Sequence, residues 1–515
     1  MIHRVRHIGL YAGPALFVLM WLAPPPEGLG QAAWSTAGVA VWMAVWWVTE
    51  AVPIHVTAML PLAAFPLLGI VKAPDLGPAY GHPFIFLFMG GFMLARAIER
   101  WSLHERIALT IVAAVGVSPR RLVLGMMVAT AFISLWISNT AATLIMLPIG
   151  MAIVTESALI AGTRVEDDPQ LAALATALML GVAYAASIGG IGTLVGTAPN
   201  VVFASQLAQI FPDAPPVTFL KWMQVGLPLV IVFVPLTWLY LTRVAFPIHL
   251  AELPGGRRVI AERLAVLPPM NGPERRVALV FLCTALGWVF RAPIDLGAFT
   301  VPGWSSLLGV EAYLHDATVA MVAVLALFVI PAGDLGTAQP TRNGRLLDWE
   351  TAQTIPWGIL VLFGGGLALA EGVSDSGLAA WIGGGFTVLA GAPLLVLLVV
   401  LCLVMTFLTE ITSNTAVATL FMPVLAAMAV SIGENPVLFM LPAAICASCA
   451  FMLPVGTPPN AIVFGSGHVR IPQMARAGFA LNLIGVVLVT ALAYLVIIPA
   501  FGIEAGVLPG WAHGR

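Results

Sequence analysis

The stretch that decides the fold is Ser-Asn-Thr at 138–140, within SNTAATLIMLP from Ser138 to Pro148, because it returns as SNTAVATLFMP from Ser413 to Pro423. Each copy is followed by a second repeated phrase, GTAPN at 196–200 and GTPPN at 456–460. Two matched phrases in one order indicate an internal duplication. Both consist of small polar residues inside apolar runs, where an unpaired polar group is costly unless something binds it. The repeated phrases are therefore the predicted functional site.

Composition places the chain in a membrane. Hydrophobic residues make up 60% and charged residues 9%, against about 25% charged in ordinary soluble proteins. The mean hydropathy is +1.00. Because a crossing needs about 20 apolar residues, the 515 residues predict an all-α polytopic membrane protein with about 11 transmembrane helices and two re-entrant hairpins. The net charge of -2 and the lack of a basic arm give no indication of a nucleic-acid partner.

The first hairpin is predicted at 122–155. This run has no charged residue, and it is too long for one crossing and too short for two. It can enter the membrane, turn at mid-depth at its Ser-Asn-Thr triplet and leave on the same side. Non-helical backbone is tolerated at that depth where it lines a cavity or is buried in protein. The run 392–431, whose one charge is Glu410, predicts the second hairpin.

Two further runs, 171–210 and 437–465, predict crossings that break at their centres, at glycines and prolines around the second repeated phrase. The polar segment 249–276 divides the chain into halves at 1–248 and 277–515, and we expect it to be a cytoplasmic linker. If each hairpin adds no crossing, the halves are inverted copies. Inverted repeats with discontinuous helices at the midplane are characteristic of secondary transporters.

Arginine placement sets the predicted orientation. The fourth predicted crossing ends in an arginine-rich segment, and cytoplasmic ends of spans carry such arginines. We therefore expect a multi-pass protein of the inner (plasma) membrane with a cytoplasmic N-terminus and an external C-terminus. The arginines concerned are Arg96, Arg100, Arg106, Arg120 and Arg121.

The triplets suit an anion. Helix N-termini carry free N–H groups and about half a positive charge, so a hairpin turn or a broken helix can hold an anion without a basic side chain. Hydroxyl and amide groups of the first triplet can donate to one carboxylate and those of the second triplet to another. The same residues and the unwound carbonyls offer the hard oxygens that sodium prefers. A ligand with two anionic ends and accompanying sodium ions is predicted.

Glu410, beside the second triplet, has two open interpretations. It is either a proton or cation site, or a residue packed against a neighbouring helix and paired with a polar group.

The run from Ser448 to Val463, which contains GTPPN, resembles the long C-terminal signature of the divalent anion:sodium symporter family. That family comprises the sodium-coupled dicarboxylate, citrate and sulfate carriers, and the resemblance extends from the first span to the last. It implies a homodimer in which a scaffold stays fixed. The hairpins and broken helices then move as an elevator-like transport domain.

Matching motifs carry the family's site residues onto this chain. The resemblance implies two sodium ions, one held by Ser134, Ser138, Asn139 and Gly196, and the other by Thr409, Thr412, Asn414 and Gly456. It implies a substrate site formed by Ser138, Asn139, Thr140, Thr197, Ser413, Asn414, Thr415, Thr457 and Pro458. Because Ala198 stands where the second copy has Pro458, contacts there need not be equivalent.

The resulting hypothesis is a sodium-coupled importer of C4-dicarboxylates such as succinate, malate and fumarate. The alternatives are a sodium-independent exchanger of organic anions, or a citrate or sulfate carrier. An intramembrane enzyme is disfavoured because the core runs contain no aspartate pair, and no histidine lies between His104 and His249. A channel is disfavoured because a closed midplane site suits stepwise transport.

Overall fold

The computed structural model describes residues 2–116, 118–250, 252–253, 262, 265, 267, 269–295, 299–333 and 344–513. These ranges are almost wholly helical, which confirms the all-α class. Their one sheet pairs Ile294–Asp295 with Thr300–Val301 in antiparallel register. The linker predicted at 249–276 lies largely outside the described residues.

The first half consists of helices joined by short turns. They are Ile2–Leu22, Gln31–Thr49, Ile54–Thr57, Leu60–Leu67, Ala73–Tyr80, Pro83–Arg100, Leu103–Val115, Pro119–Ser134, Asn139–Ile160, Pro169–Gly190, Ala198–Ile210 and Phe219–Tyr240, followed by the π-helical segment Leu241–Ala245.

The second half has a similar order. Its helices are Gly272–Val289, Trp304–Leu307, Asp316–Val329, Trp349–Ala352, Trp357–Asp375, Leu378–Phe386, Leu394–Thr409, Asn414–Ser431, Val437–Cys446, Pro458–Gly465, Ile471–Leu492 and Ile498–Phe501, with the π-helical segment Ala493–Ile497 before the last. Short 3₁₀ turns lie at Glu311–Tyr313, Thr387–Leu389 and Gly510–Ala512.

Eight helices in the described ranges are long and apolar enough to cross a membrane. The expected eleven crossings differ from this number because breaks divide some crossings into short helices. Residues 54–70 form Ile54–Thr57 and Leu60–Leu67, and residues 437–465 form Val437–Cys446 and Pro458–Gly465. None of these four short helices spans about 30 Å alone. The number of crossings therefore stays a prediction.

The same series of elements occurs in both halves. A helix with a double glycine, Pro83–Arg100 or Trp357–Asp375, is followed by a short helix, a helical pair and a broken helix. Each series then ends in a long helix that passes into a five-residue π-helical segment. The short helices, Leu103–Val115 and Leu378–Phe386, were not predicted from the sequence.

Each helical pair packs against its own broken helix and against the broken helix of the other half. Within the first half, Pro119–Ser134 and Asn139–Ile160 both contact Pro169–Gly190. Across the halves, Asn139–Ile160 contacts Pro458–Gly465, and Ala198–Ile210 contacts Asn414–Ser431. The elements that bear the four repeated phrases therefore form one cluster.

Among the described residues, two ion pairs join the halves at the arginine-rich ends of the helices. Arg106 Nε lies 2.5 Å from Glu274 Oε1, and Arg100 donates to Asp348 Oδ2 at 2.8 Å. Both carboxylates are almost fully buried. These contacts connect the end of the first double-glycine helix and the short helix after it to segments of the second half.

Candidate substrate and sodium site

The first triplet begins a helix. Pro119–Ser134 ends just before a four-residue turn, and Asn139–Ile160 starts immediately after Ser138. Ser138 has extended backbone and caps the new helix, because its hydroxyl accepts a hydrogen bond from Ala141 N at 3.3 Å. The triplet side chains are half-buried. The first triplet thus lies at a helix N-terminus, where backbone N–H groups are available to an anion.

Ser134, at the end of the helix before the turn, gathers oxygen atoms. Its fully buried hydroxyl lies 2.7 Å from Asn139 Oδ1 and 2.8 Å from the carbonyl oxygen of Ala186. A hydroxyl has one proton and can donate to only one of these acceptors at a time. The cluster therefore holds more lone pairs than protons, as a cation site requires.

Two glycines of the first broken helix complete this cluster. A Cβ added to Gly190 would lie 2.4 Å from Asn139 Oδ1 and 3.1 Å from the carbonyl oxygen of Gly196. A Cβ added to Gly196 would lie 2.4 Å from the carbonyl oxygen of Gly190. Side-chain and carbonyl oxygens approach each other only because both positions lack side chains. These residues fit a sodium ion by the hardness and number of their oxygens.

The second triplet also begins a helix beside a shared hydroxyl, although the Ser413 side chain does not cap that helix. Thr409 ends Leu394–Thr409, and Asn414–Ser431 begins directly after Ser413. The buried hydroxyl of Thr409 lies 2.6 Å from Asn414 Oδ1 and 2.8 Å from the carbonyl oxygen of Ala447. One proton again faces two acceptors. The second cluster therefore has the same excess of lone pairs.

The last asparagine of each GTxPN phrase fixes its break. Asn200 Nδ2 donates to the carbonyl oxygens of Gly190 at 3.0 Å and Thr193 at 2.7 Å. Asn460 Nδ2 donates to those of Ala450 and Leu453, both at 3.1 Å. Each amide thus ties two carbonyls at the break to the start of the second helical segment.

The hairpin turns are attached to the breaks in two different ways. In the first half the hydroxyl of Thr193 donates to the carbonyl oxygen of Leu135. In the second half the Glu410 carboxylate accepts from the backbone N–H groups of residues 451–453 and from Asn482. Glu410 is thus paired with polar groups of neighbouring segments. This pairing is the second of the two interpretations that the sequence left open for this residue.

The remaining predicted site residues lie at the same turns and breaks. Thr197 and Thr457 each precede the second segment of a broken helix, and Thr457 Oγ1 accepts from Asn460 N at 3.4 Å. Pro458 is exposed at the start of its helix. Thr412 lies in the second turn, where its hydroxyl donates to Leu408 O at 3.1 Å.

Sequence reasoning missed three groups of residues at this site. Gly190 could have been found from the neighbouring phrase, and the asparagines of both GTxPN phrases from their recurrence. Asn482 had no signal, because it lies alone in Ile471–Leu492 and meets Glu410 only in the folded chain.

Helices broken at paired polar turns, in a chain with many apolar spans, define a membrane transport protein. The chain also matches the family described as "Sodium:sulfate symporter transmembrane region" over residues 4–500, and it belongs to that family. Membership agrees with the expectation that the protein is not an enzyme, and it confirms the family resemblance found in the sequence.

Similar proteins extend over nearly the whole chain. It is 42% identical over 497 residues to the sodium-dependent dicarboxylate transporter SdcS of Staphylococcus saprophyticus, covering 96% of this chain and 92% of the relative. It is 43% identical to the protein of that name from Staphylococcus aureus, with the same coverage. The crystal structure of the YdaH transporter of Alcanivorax borkumensis is similar in fold. It has a TM-score of 0.52 and 16% identity, and 95% of this chain and 97% of that one are covered.

Proposed function

We propose that the protein is a sodium-coupled importer of C4-dicarboxylates such as succinate, malate and fumarate. The observation that carries the proposal is the paired arrangement of the two triplets. Each begins a helix, and each lies beside a hydroxyl that faces two oxygen acceptors. The names of the relatives support both sodium coupling and the dicarboxylate substrate.

The dicarboxylate is bound by helix N-termini and neutral donors. Asn139–Ile160 and Asn414–Ser431 each direct a positive helix end and the donors of a triplet to the site. The runs 122–155, 171–210, 392–431 and 437–465 contain no lysine or arginine. Recognition without basic side chains leaves the substrate's two negative charges only partly compensated. Bound cations are therefore needed for tight binding.

Sodium supplies the missing positive charge. In the first half, Ser134, Ser138, Asn139 and Gly196 hold one ion. In the second half, Thr409, Thr412, Asn414 and Gly456 hold another. Since these clusters share Ser138, Asn139 and Asn414 with the substrate site, ion binding orders the groups that contact the dicarboxylate. Substrate binding then depends on sodium through the same side chains. Thr140, Thr197, Ser413, Thr415, Thr457 and Pro458 complete the substrate site.

Transport proceeds by an elevator motion of the hairpins and broken helices, in a homodimer with a cytoplasmic N-terminus and an external C-terminus. The mutual packing of these elements supports their movement as one body. The two double-glycine helices meet this body closely. A Cβ on Gly91 would lie 3.2 Å from Val195, and one on Gly366 would lie 2.3 Å from Thr419. Because glycines lack side chains at these contacts, the hairpins and broken helices can slide past the two double-glycine helices.

Succinate uptake into proteoliposomes tests the function. We expect an inward sodium gradient to drive accumulation and an equal choline gradient to give none. Uptake undiminished in choline would identify a sodium-independent exchanger. If citrate or sulfate inhibited succinate uptake and malate and fumarate did not, the substrate class would be citrate or sulfate rather than C4-dicarboxylates.

Variants test the assigned residues. Asn139→Ala and Asn414→Ala should each abolish uptake and leave a folded protein, because each removes a sodium ligand and a substrate donor together. Asn435→Ala is the matched control, because Asn435 Oδ1 accepts from the backbone N–H of Val437 at the start of Val437–Cys446 and belongs to neither cluster. Normal uptake by either triplet variant would show that its assigned role is wrong.

A further inference from the structure

The two hairpin turns differ at one position that bears a charge. Leu135 follows Ser134 in the first turn, and Glu410 follows Thr409 in the second. Glu410 is only 3% exposed. The halves share the contacts of Ser134 and Thr409 with the triplet asparagines, and Glu410 is the one position of the two turns that bears a charge.

Four donors surround the Glu410 carboxylate, and all of them are neutral. Oε1 accepts from Phe451 N at 2.7 Å, Met452 N at 2.9 Å and Asn482 Nδ2 at 2.8 Å. Oε2 accepts from Leu453 N at 3.1 Å. Three successive N–H groups of the second break thus point to one side chain. In the part of the chain that the structure describes, no basic side chain forms an ion pair with it.

Hydrogen bonds from neutral groups satisfy the carboxylate oxygens and leave its net charge in place. A buried charge without an opposite charge is unfavourable even when it is hydrogen-bonded. The side chain therefore favours a cation close by. Nearby oxygen-rich groups, rather than lysine or arginine, define where that cation can bind.

The carboxylate borders the second sodium cluster. A Cβ added to Gly456 would lie 3.1 Å from Glu410 Oε2 and 3.2 Å from the carbonyl oxygen of Glu410. Glu410 is also bonded in sequence to Thr409, whose hydroxyl contacts Asn414 Oδ1. In the first half, Leu135 supplies only a carbonyl oxygen, which accepts from Thr193.

We propose that Glu410 is the charge-compensating and positioning residue of the second sodium site. Its carboxylate holds residues 451–453 in an unwound conformation, which positions the break that contains Gly456 beside the ion. Its negative charge attracts that ion. The second site consequently binds sodium more tightly than the first, where Leu135 stands at the position of Glu410. The inference rests on the proposed sodium coupling and adds a difference in affinity between its two sites.

Sodium titration of the purified full-length protein in detergent tests this role without transport. Binding to the folded state raises the unfolding temperature, so the midpoint of this rise reports apparent sodium affinity. Glu410→Gln retains the shape of the side chain and removes its charge. We call the sodium concentration at half of this rise in unfolding temperature the sodium midpoint. We expect it to be at least about tenfold higher in this variant. Uptake assays on the same variant should show a higher sodium requirement.

Glu434→Gln is the matched control. Glu434 lies just after the second hairpin, and its carboxylate accepts from Gly506 N at 3.0 Å, a residue outside both clusters. Its sodium midpoint should stay within about twofold of the unmodified protein. A folded Glu410→Gln protein with an unchanged midpoint would overturn the role of Glu410. An unmodified protein that does not respond to sodium would instead refute the sodium coupling.

A second variant decides the matter if Glu410→Gln does not fold. Glu410→Asp keeps the charge and shortens its reach by one methylene, so we expect a sodium midpoint within about fivefold of the unmodified protein. A midpoint raised more than tenfold despite the retained charge would show that the hydrogen-bonded shape, and not the charge, governs the site.

Discussion

Gly190→Ala tests the first sodium cluster with a single methyl group. The new Cβ would lie 2.4 Å from Asn139 Oδ1, while ordinary contacts begin at 3.4 Å, so the amide must retreat by about 1 Å. That shift separates Asn139 from Ser134 and from the ion. Losing one contact to a charged group costs about 1.5–3 kcal/mol, which corresponds to roughly 10- to 150-fold weaker sodium binding.

Two measurements on Gly190→Ala separate loss of the site from loss of the fold. Sodium titration of succinate uptake should show the raised sodium requirement, and thermal unfolding without sodium should show a folded protein. Gly384→Ala is the matched control, because no atom beyond its chain neighbours and its own helical backbone lies within 4 Å of the added Cβ. A folded Gly190→Ala protein with the sodium dependence of Gly384→Ala would refute the assigned cation cluster.

Three further outcomes follow from the same contacts. Ser134→Ala and Thr409→Val each remove a hydroxyl shared by two acceptors. Each variant should therefore need roughly tenfold more sodium to activate uptake. Unchanged sodium activation in both variants would contradict the two paired clusters. Gly366→Ala would place a Cβ 2.3 Å from Thr419. Succinate uptake should therefore slow roughly tenfold, while equilibrium succinate binding is retained. Equal uptake rates of the variant and the unmodified protein would argue against sliding at this surface. Exchange of sodium for choline should lower the unfolding temperature of the unmodified protein, and an unchanged temperature would contradict sodium binding.

Much of the arrangement could be predicted from repetition. The break predicted at 437–465 corresponds to Val437–Cys446 and Pro458–Gly465, and the hairpin predicted at 122–155 to helices that run from Pro119 to Ile160. Length and apolar composition determine such segments, because a membrane core restricts the number of residues in a crossing. Recurring polar residues in those segments also predict where the site residues lie.

Other features depend on contacts that no local pattern encodes. Leu103–Val115 was missed because it is shorter than a crossing and contains His104, Glu105 and Arg106. Its Arg106 pairs with Glu274, far away in the sequence. The partner of Glu410 was missed for the same reason, since Asn482 is an isolated amide in an apolar helix. Long-range polar pairing of this kind requires the folded chain.

The central claim is that two helix N-termini and bound sodium hold one dicarboxylate between them without a basic side chain. Equilibrium binding of succinate and of its monomethyl ester to the purified protein tests it most directly. The account predicts succinate binding in sodium, none in choline, and at least about tenfold weaker binding of the ester, which leaves one triplet without a carboxylate. Equal affinity for succinate and the ester, or succinate binding undiminished in choline, would contradict it.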